Sequence, residues 1–146
     1  MRIRPGTSKL VSAVHTSRIQ VLELPNHGDA RGFSFVVPDE ALAFLNVLGN
    51  VHFAATKPGA VRGNHYHLHR REATIVLPGC KWSLHWAENS KSDPQHQEFD
   101  GNAAVLLLLS PQTVHAIRND GSGELWLFAI QSEANDPSDT VMCKLV

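Results

Sequence analysis

Charge of one sign, cysteine and long apolar runs are all scarce in this sequence, and each scarcity removes a class of protein. Lys plus Arg number 13 and Asp plus Glu 14, for a net charge of −1. No basic footprint for nucleic acid is present, and no bias toward a membrane surface. The two cysteines, Cys80 and Cys143, lie far apart with no C-x-x-C spacing. That excludes a disulfide scaffold and a thiolate zinc knuckle, and predicts a reducing, cytoplasmic location. The longest apolar run, residues 103–109, falls far short of the ~20 residues that cross a bilayer. The leading segment MRIRPGTSKLVSAVHTSR has no apolar signal core. Tyrosine occurs once, as Tyr66. What remains is a globular composition with 42% hydrophobic and 18% charged residues in 146 positions. A chain of this length forms one domain that buries roughly two thirds of its unfolded surface without a staple.

Helical periodicity of useful length is also missing. The chain breaks into short alternating or apolar pieces separated by turn formers. Strands are expected at 10–14, 19–24, 33–37, 50–56, 65–69, 72–77, 82–87, 95–99, 103–109, 113–118 and 124–131. Turns fall at 25–29, 57–59, 78–79, 88–94, 100–102 and 119–123, where Pro, Gly, Asn and Asp cluster. One short helix is expected after Pro38, where Asp39 and Glu40 suit a first turn. Many short, evenly spaced strands predict an all-β sandwich or barrel. The segment 141–146 reads as a C-terminal edge strand.

Histidine is the outlier in the other direction. The chain has 9, about three times ordinary usage of ~2%, with no run that would mark a tag. On a strand, side chains alternate with period two, so His65 and His67 point into one volume. Glu72 follows a tight connection, and His115 returns after an apolar strand and a turn. Imidazoles and a carboxylate converging inside a β protein suit one divalent ion: zinc, iron, nickel or manganese.

The spacing of Gly59, His65, His67, Glu72 and Gly79 resembles the first motif of the cupin family. His115 and Asn119 fit the second, with Ser110, Pro111 and Gln112 in place of its Pro-x-Gly turn. The resemblance implies an all-β, single-domain cupin, a double-stranded β-helix or jelly-roll barrel over residues 1–146, with its core at about 26–131. It implies metal ligands at His65, His67, Glu72 and His115. Asp29-Ala30-Arg31-Gly32 and Arg62-Gly63-Asn64-His65 further resemble the sugar-nucleotide 3,5-epimerase and 3,4-ketoisomerase cupins. They are also similar to the cupin domain of capsular-polysaccharide sugar reductases. In those epimerases the histidine matching His65 takes a sugar proton and a later tyrosine acts as acid. Here the single tyrosine, Tyr66, faces away from His65.

The functional expectation is a small metal-binding cupin that binds or acts on a polar small molecule, such as a nucleotide-linked sugar for surface polysaccharide, by isomerase-like proton transfer. His65 and His52 are the candidate proton carriers. Arg62 and Arg31, each beside a glycine, are the candidate substrate clamps. A metal-dependent dioxygenase and a non-catalytic sugar-binding or regulatory cupin remain alternatives. A homodimer is expected, with neither nucleic acid nor membrane as partner. His69 reads as rim, His85 as lining or surface, and His15, His27 and His96 as surface. Arg70 and Arg71 read as a solvated hairpin turn, and Trp82, Trp86 and Trp126 as core or subunit contacts.

Overall fold

Period-two alternation along short strands builds two antiparallel sheets. The computed structural model describes residues 9–15, as backbone, and residues 18–146; the reading of His15 as a surface side chain falls outside them. In chain order the elements are β1 (Lys9–His15), β2 (Ile19–Leu24), α1 (Asp39–Leu45), β3 (Asn50–Thr56) and β4 (Val61–His67). They continue with β5 (Glu72–Val76), β6 (Trp82–Ala87), β7 (Gln95–Phe99), β8 (Ala104–Leu109), β9 (Val114–Asn119), β10 (Leu125–Gln131), a 3-10 turn (Pro137–Asp139) and β11 (Thr140–Met142). The six-stranded sheet runs β1-β2-β8-β5-β10-β3 and the five-stranded sheet β11-β4-β9-β6-β7.

The sheets pack face to face because each contributes one apolar parity. Val105, Leu107 and Leu109 of β8 meet Trp82, Leu84 and Trp86 of β6 in one core. Trp82 stacks on Phe99 with centroids 4.0 Å apart. The opposite parity of β8, Ala104, Leu106 and Leu108, packs beneath Ala41 and Leu45 of α1. Both faces of β8 are therefore buried, which explains its unbroken apolar sequence. Helix α1 opens after Pro38, carries Asp39 and Glu40 in its first turn and ends at Asn46, whose φ of 62° breaks it.

Three expectations are corrected. The closed jelly-roll barrel is absent: neither sheet closes, since among the described residues no strand of one sheet pairs with a strand of the other. Closure needs the end strands to pair, and here β1 and β3 end one sheet while β11 and β7 end the other. The strand expected at 33–37 is not formed. Phe35 and Val37 lie instead as an irregular segment against the α1 side of the core. The strand expected at 65–69 starts earlier and stops sooner, at Val61–His67. Its register with β9 shifts between Gly63 and His65, where Gly63 has φ +100° and Asn64 φ 54°, a local bulge.

The C-terminal strand covers Thr140–Met142, pairing with β4. Beyond it the chain is held by Asn64, whose side chain accepts from Leu145 N (2.8 Å) and donates to Val146 O (2.9 Å).

Candidate active site

The apolar core fills one end of the space between the sheets. At the other end the inward parity turns polar, leaving a cavity of about 590 Å³. The five-stranded sheet supplies His65 and His67 from β4 and His115 from β9, and the bulge sets His65 directly across from His115. The six-stranded sheet supplies Glu72 and Thr74 from β5 and Gln131 from β10, with Gln131 paired to Glu72. The rings of His65 lie 4.9 Å from both His67 and His115.

Hydrogen bonds order this cluster. Glu72 is 7% exposed. Its Oε1 accepts from the Thr74 hydroxyl at 2.6 Å, and its Oε2 from Gln131 Nε2 at 2.8 Å and His67 Nε2 at 3.1 Å. Burial alone would raise its carboxyl, but the bond from His67, the nearby His115 and the Thr74 hydroxyl hold it well below the usual carboxylate range. His115 Nδ1 donates to Thr113 O at 3.0 Å, so its Nε2 keeps a lone pair, 4.0 Å from Glu72 Oε1. Burial lowers His115. Burial, then the neighbouring His115 and His67, brings His65 down to about 3. At neutral pH His65 is an uncharged imidazole.

The donor set fits a divalent ion. One ring nitrogen from each of His65, His67 and His115 lies within 4.8 Å of the other two, and the His115–Thr113 bond is the kind of outer contact that orients a ligating imidazole. The structure thus brings His65, His67, His115 and Glu72 together. His52 on β3 and Arg62 on β4 both line the cavity. The Arg62 guanidinium donates to Ala55 O (2.6 Å) and Thr56 Oγ1 (3.0 Å). Arg31 is elsewhere: it sits in an exposed turn, bonded to Asp29, and does not line this cavity.

Arg70 corrects the reading of residues 70–71 as a solvated turn. It is 4% exposed, its Nε donating to His67 Nδ1 at 3.2 Å and lying 3.5 Å from Asp139. Asp139, carried by the 3-10 turn, also accepts from His69 N at 2.9 Å. Arg71 reaches Leu45 O at the end of α1. The site therefore includes Arg70, Asp139, Thr74 and Gln131 beyond the expected residues. Thr74 and Gln131 were readable as polar residues at inward parity on apolar strands. Asp139 carries no local signal, because it meets the site from 70 residues away. Tyr66, 1 residue from His65, pairs with Val141 and is not among the cavity residues.

Residues 27–141 match the family described as the polysaccharide biosynthesis C-terminal domain. Among curated proteins, none matches this chain. Solved structures share its fold. NovW, a 4-keto-6-deoxy sugar epimerase of Streptomyces spheroides, aligns with a TM-score of 0.72 at 16% identity, over 96% of this chain and 75% of that one. QdtA, a sugar 3,4-ketoisomerase of Thermoanaerobacterium thermosaccharolyticum solved with TDP, gives 0.66 at 15% identity, over 87% and 89%. The capsular polysaccharide assembling protein CapF of Staphylococcus aureus gives 0.61 at 18% identity, over 95% of this chain but 33% of that longer one. The sequence match begins ahead of α1 and ends within β11, so it takes in every strand that carries a cavity residue, and the chain belongs to the polysaccharide biosynthesis C-terminal domain family.

Proposed function

We propose that this protein is an isomerase- or epimerase-like enzyme that takes a nucleotide-linked sugar into the cavity and moves a proton beside the sugar carbonyl. One observation carries the reading: an ionised, hydrogen-bonded Glu72 and three imidazoles stand at the wall of a solvent-open cavity in a sugar-isomerase fold. The fold relatives named as 4-keto-6-deoxy sugar epimerase and 3,4-ketoisomerase support the substrate class. The family's link to polysaccharide biosynthesis supports the setting.

His65, His67 and His115 are the residues that would hold one divalent ion, with Glu72, which faces Nε2 of both His67 and His115, as the carboxylate ligand beside them. Zinc, iron, nickel and manganese all suit imidazole donors. When bound, such an ion supplies a Lewis acid that polarises a carbonyl oxygen. An imidazole committed to an ion has no lone pair left for a proton. His52, at the cavity wall and outside the cluster, is then the proton carrier. Arg62 grips the diphosphate, its orientation set by Ala55 O and Thr56 Oγ1.

We further propose a homodimer. The edge strand β3 and its neighbour β10 expose Phe53 (72%), Trp126 (48%) and Val51 (41%), a combination that a second copy would cover. No described helix is long and apolar enough to cross a membrane, and the free thiols of Cys80 and Cys143 suit the cytoplasm.

Calorimetry with thymidine- and uridine-diphosphate 4-keto sugars, followed by NMR of the sugar in deuterated water, tests the reading. Binding with deuterium appearing beside the carbonyl is expected. Arg62→Lys should weaken the sugar ten- to a hundred-fold, the roughly 1.5–3 kcal/mol of a charged hydrogen bond. Absence of binding to either family at millimolar concentration refutes the substrate class.

A further inference from the structure

The ring of His67 is held from both sides. A neutral imidazole has one N–H and one lone pair. At Nδ1, Arg70 Nε arrives at 3.2 Å. A guanidinium has donors only, so Nδ1 accepts. At Nε2, Glu72 Oε2 arrives at 3.1 Å. An ionised carboxylate accepts only, so Nε2 carries the proton. The two ends require the same tautomer. His115, facing the same carboxylate, is in the opposite one: its Nδ1–H is spent on Thr113 O and its Nε2 lone pair is open.

The fold does not need a guanidinium at position 70 to close its turn. Asp139 already ties that turn through the backbone amides of His69 and Arg70, and Asp139 N–H is bonded to Asp136 O. Arg70 also leaves a buried Nη1 without a partner, a cost that a purely bracing residue would avoid. Arg70 supplies the counter-charge to the buried Asp139 carboxylate and an Nε–H aimed at His67, steadied by Nη2 donating to Thr140 Oγ1 at 3.0 Å; the Thr140 hydroxyl, 3.3 Å from His67 Nδ1, can donate or accept and so enforces neither tautomer.

We propose that Arg70, anchored by Asp139, is a positioning residue that fixes His67 as its Nε2–H tautomer and so withholds one of the three imidazole lone pairs from a metal ion. The metal clause rests on the reading of the cluster given above. In the free protein His65 and His115 are ready donors, while His67 presents an N–H toward the carboxylate. For His67 Nε2 to join an ion, its proton must move to Nδ1. That sets an N–H against the Arg70 N–H, and the Arg70–His67 bond breaks. Arg70 therefore opposes loading of the full three-histidine site.

Nitrogen-15 NMR of the metal-free, full-length chain reads the tautomers directly. His67 should show a protonated Nε2 and an unprotonated Nδ1, and His115 the reverse. A protonated Nδ1 on His67, or an even mixture, overturns the proposal. This measurement needs no variant and so decides even if substitution unfolds the chain. Arg70→Met should release the tautomer and bind zinc at least tenfold more tightly by calorimetry, with the His115 signals unchanged. Equal or weaker zinc binding in a folded Arg70→Met overturns the link to metal loading. Failure of both proteins to bind zinc refutes the metal reading itself and its clause here, while the spectra still decide whether Arg70 sets the His67 tautomer.

Discussion

At Gly63 the two histidine-bearing strands leave no room for a side chain, and Gly63→Ala measures how much that close approach matters. Its φ is +100°, in the region that costs an L-residue about 1–2 kcal/mol. A Cβ built there would lie 2.5 Å from His115 O and 3.0 Å from Ala116 Cα. Both are backbone, so no side chain can swing aside. Strands β4 and β9 must separate, weakening roughly two hydrogen bonds worth about 0.5–1.5 kcal/mol each. The sum is about 3 kcal/mol, or roughly 6–12 °C in Tm for a domain of this size. Gly59→Ala is the internal control. Gly59 also has positive φ, +76°, but a Cβ there meets nothing within 4 Å, so only the conformational cost of about 1–2 kcal/mol applies. Urea denaturation of the two variants isolates the packing cost as their difference. Zinc affinity should fall in Gly63→Ala, because His65 moves relative to His115, and stay near wild type in Gly59→Ala. Equal destabilisation of the two variants would refute the close approach as the source of the effect.

Glu72→Gln should destabilise the protein by about 2 kcal/mol at pH 7, as three charge-assisted bonds become neutral ones while a buried charge is removed. Because the folded state holds Glu72 below its usual range, the wild type's advantage exists above the unfolded carboxylate range and fades as pH falls; a deficit that grows on acidification would contradict this. His65, held down to about 3, stays unprotonated in the folded chain while the unfolded chain takes up a proton below about 6.5. Stability should therefore fall as pH drops from 6.5. The slope is about 0.7 kcal/mol per unit, half the full linkage value because the ring is partly solvated. His65→Gln should lack this share, and urea midpoints at pH 7.5 and 5 that shift equally in both proteins would count against it. Phe53→Glu should turn a micromolar dimer into a monomer in sedimentation, and a monomeric wild type would remove the homodimer.

Strand β2 follows from Ile19-Gln20-Val21-Leu22-Glu23-Leu24 directly, because a run of strand length, polar only at Gln20 and Glu23 and buried on both faces, is ended by Pro25 and Asn26. The segment Phe33-Ser34-Phe35-Val36-Val37 carries the same propensity yet stays irregular. Propensity reports fitness for a half-buried surface, and Phe35 and Val37 find that surface on the core without a partner strand. The start of β4 was hidden by Gly63 and Asn64, two positive-φ residues that read as a turn but form a bulge inside a strand. Sandwich and barrel share one alternation pattern, and only the pairing of end strands separates them, so closure was not written in any segment. His65, His67, Glu72 and His115 were legible because their spacing is local to a motif. Arg70 was not: beside Arg71 and a turn it looks solvated, and its burial depends on Asp139 and Thr140 far along the chain.

The pairing of β2 with β8 has a consequence for how the protein is made. Ile19 to Leu24 align with Leu109 to Ala104, so the partner of β2 emerges about 80 residues later. At about 5–20 residues per second, this leaves the apolar β2 edge open on the ribosome for roughly 4–16 s. During that interval β1 covers only the opposite edge of β2. Nascent chains halted between residues 99 and 104 should therefore be the most chaperone-bound and protease-sensitive stage of synthesis. Release should begin once β8 pairs with β2 on one side and β5 on the other.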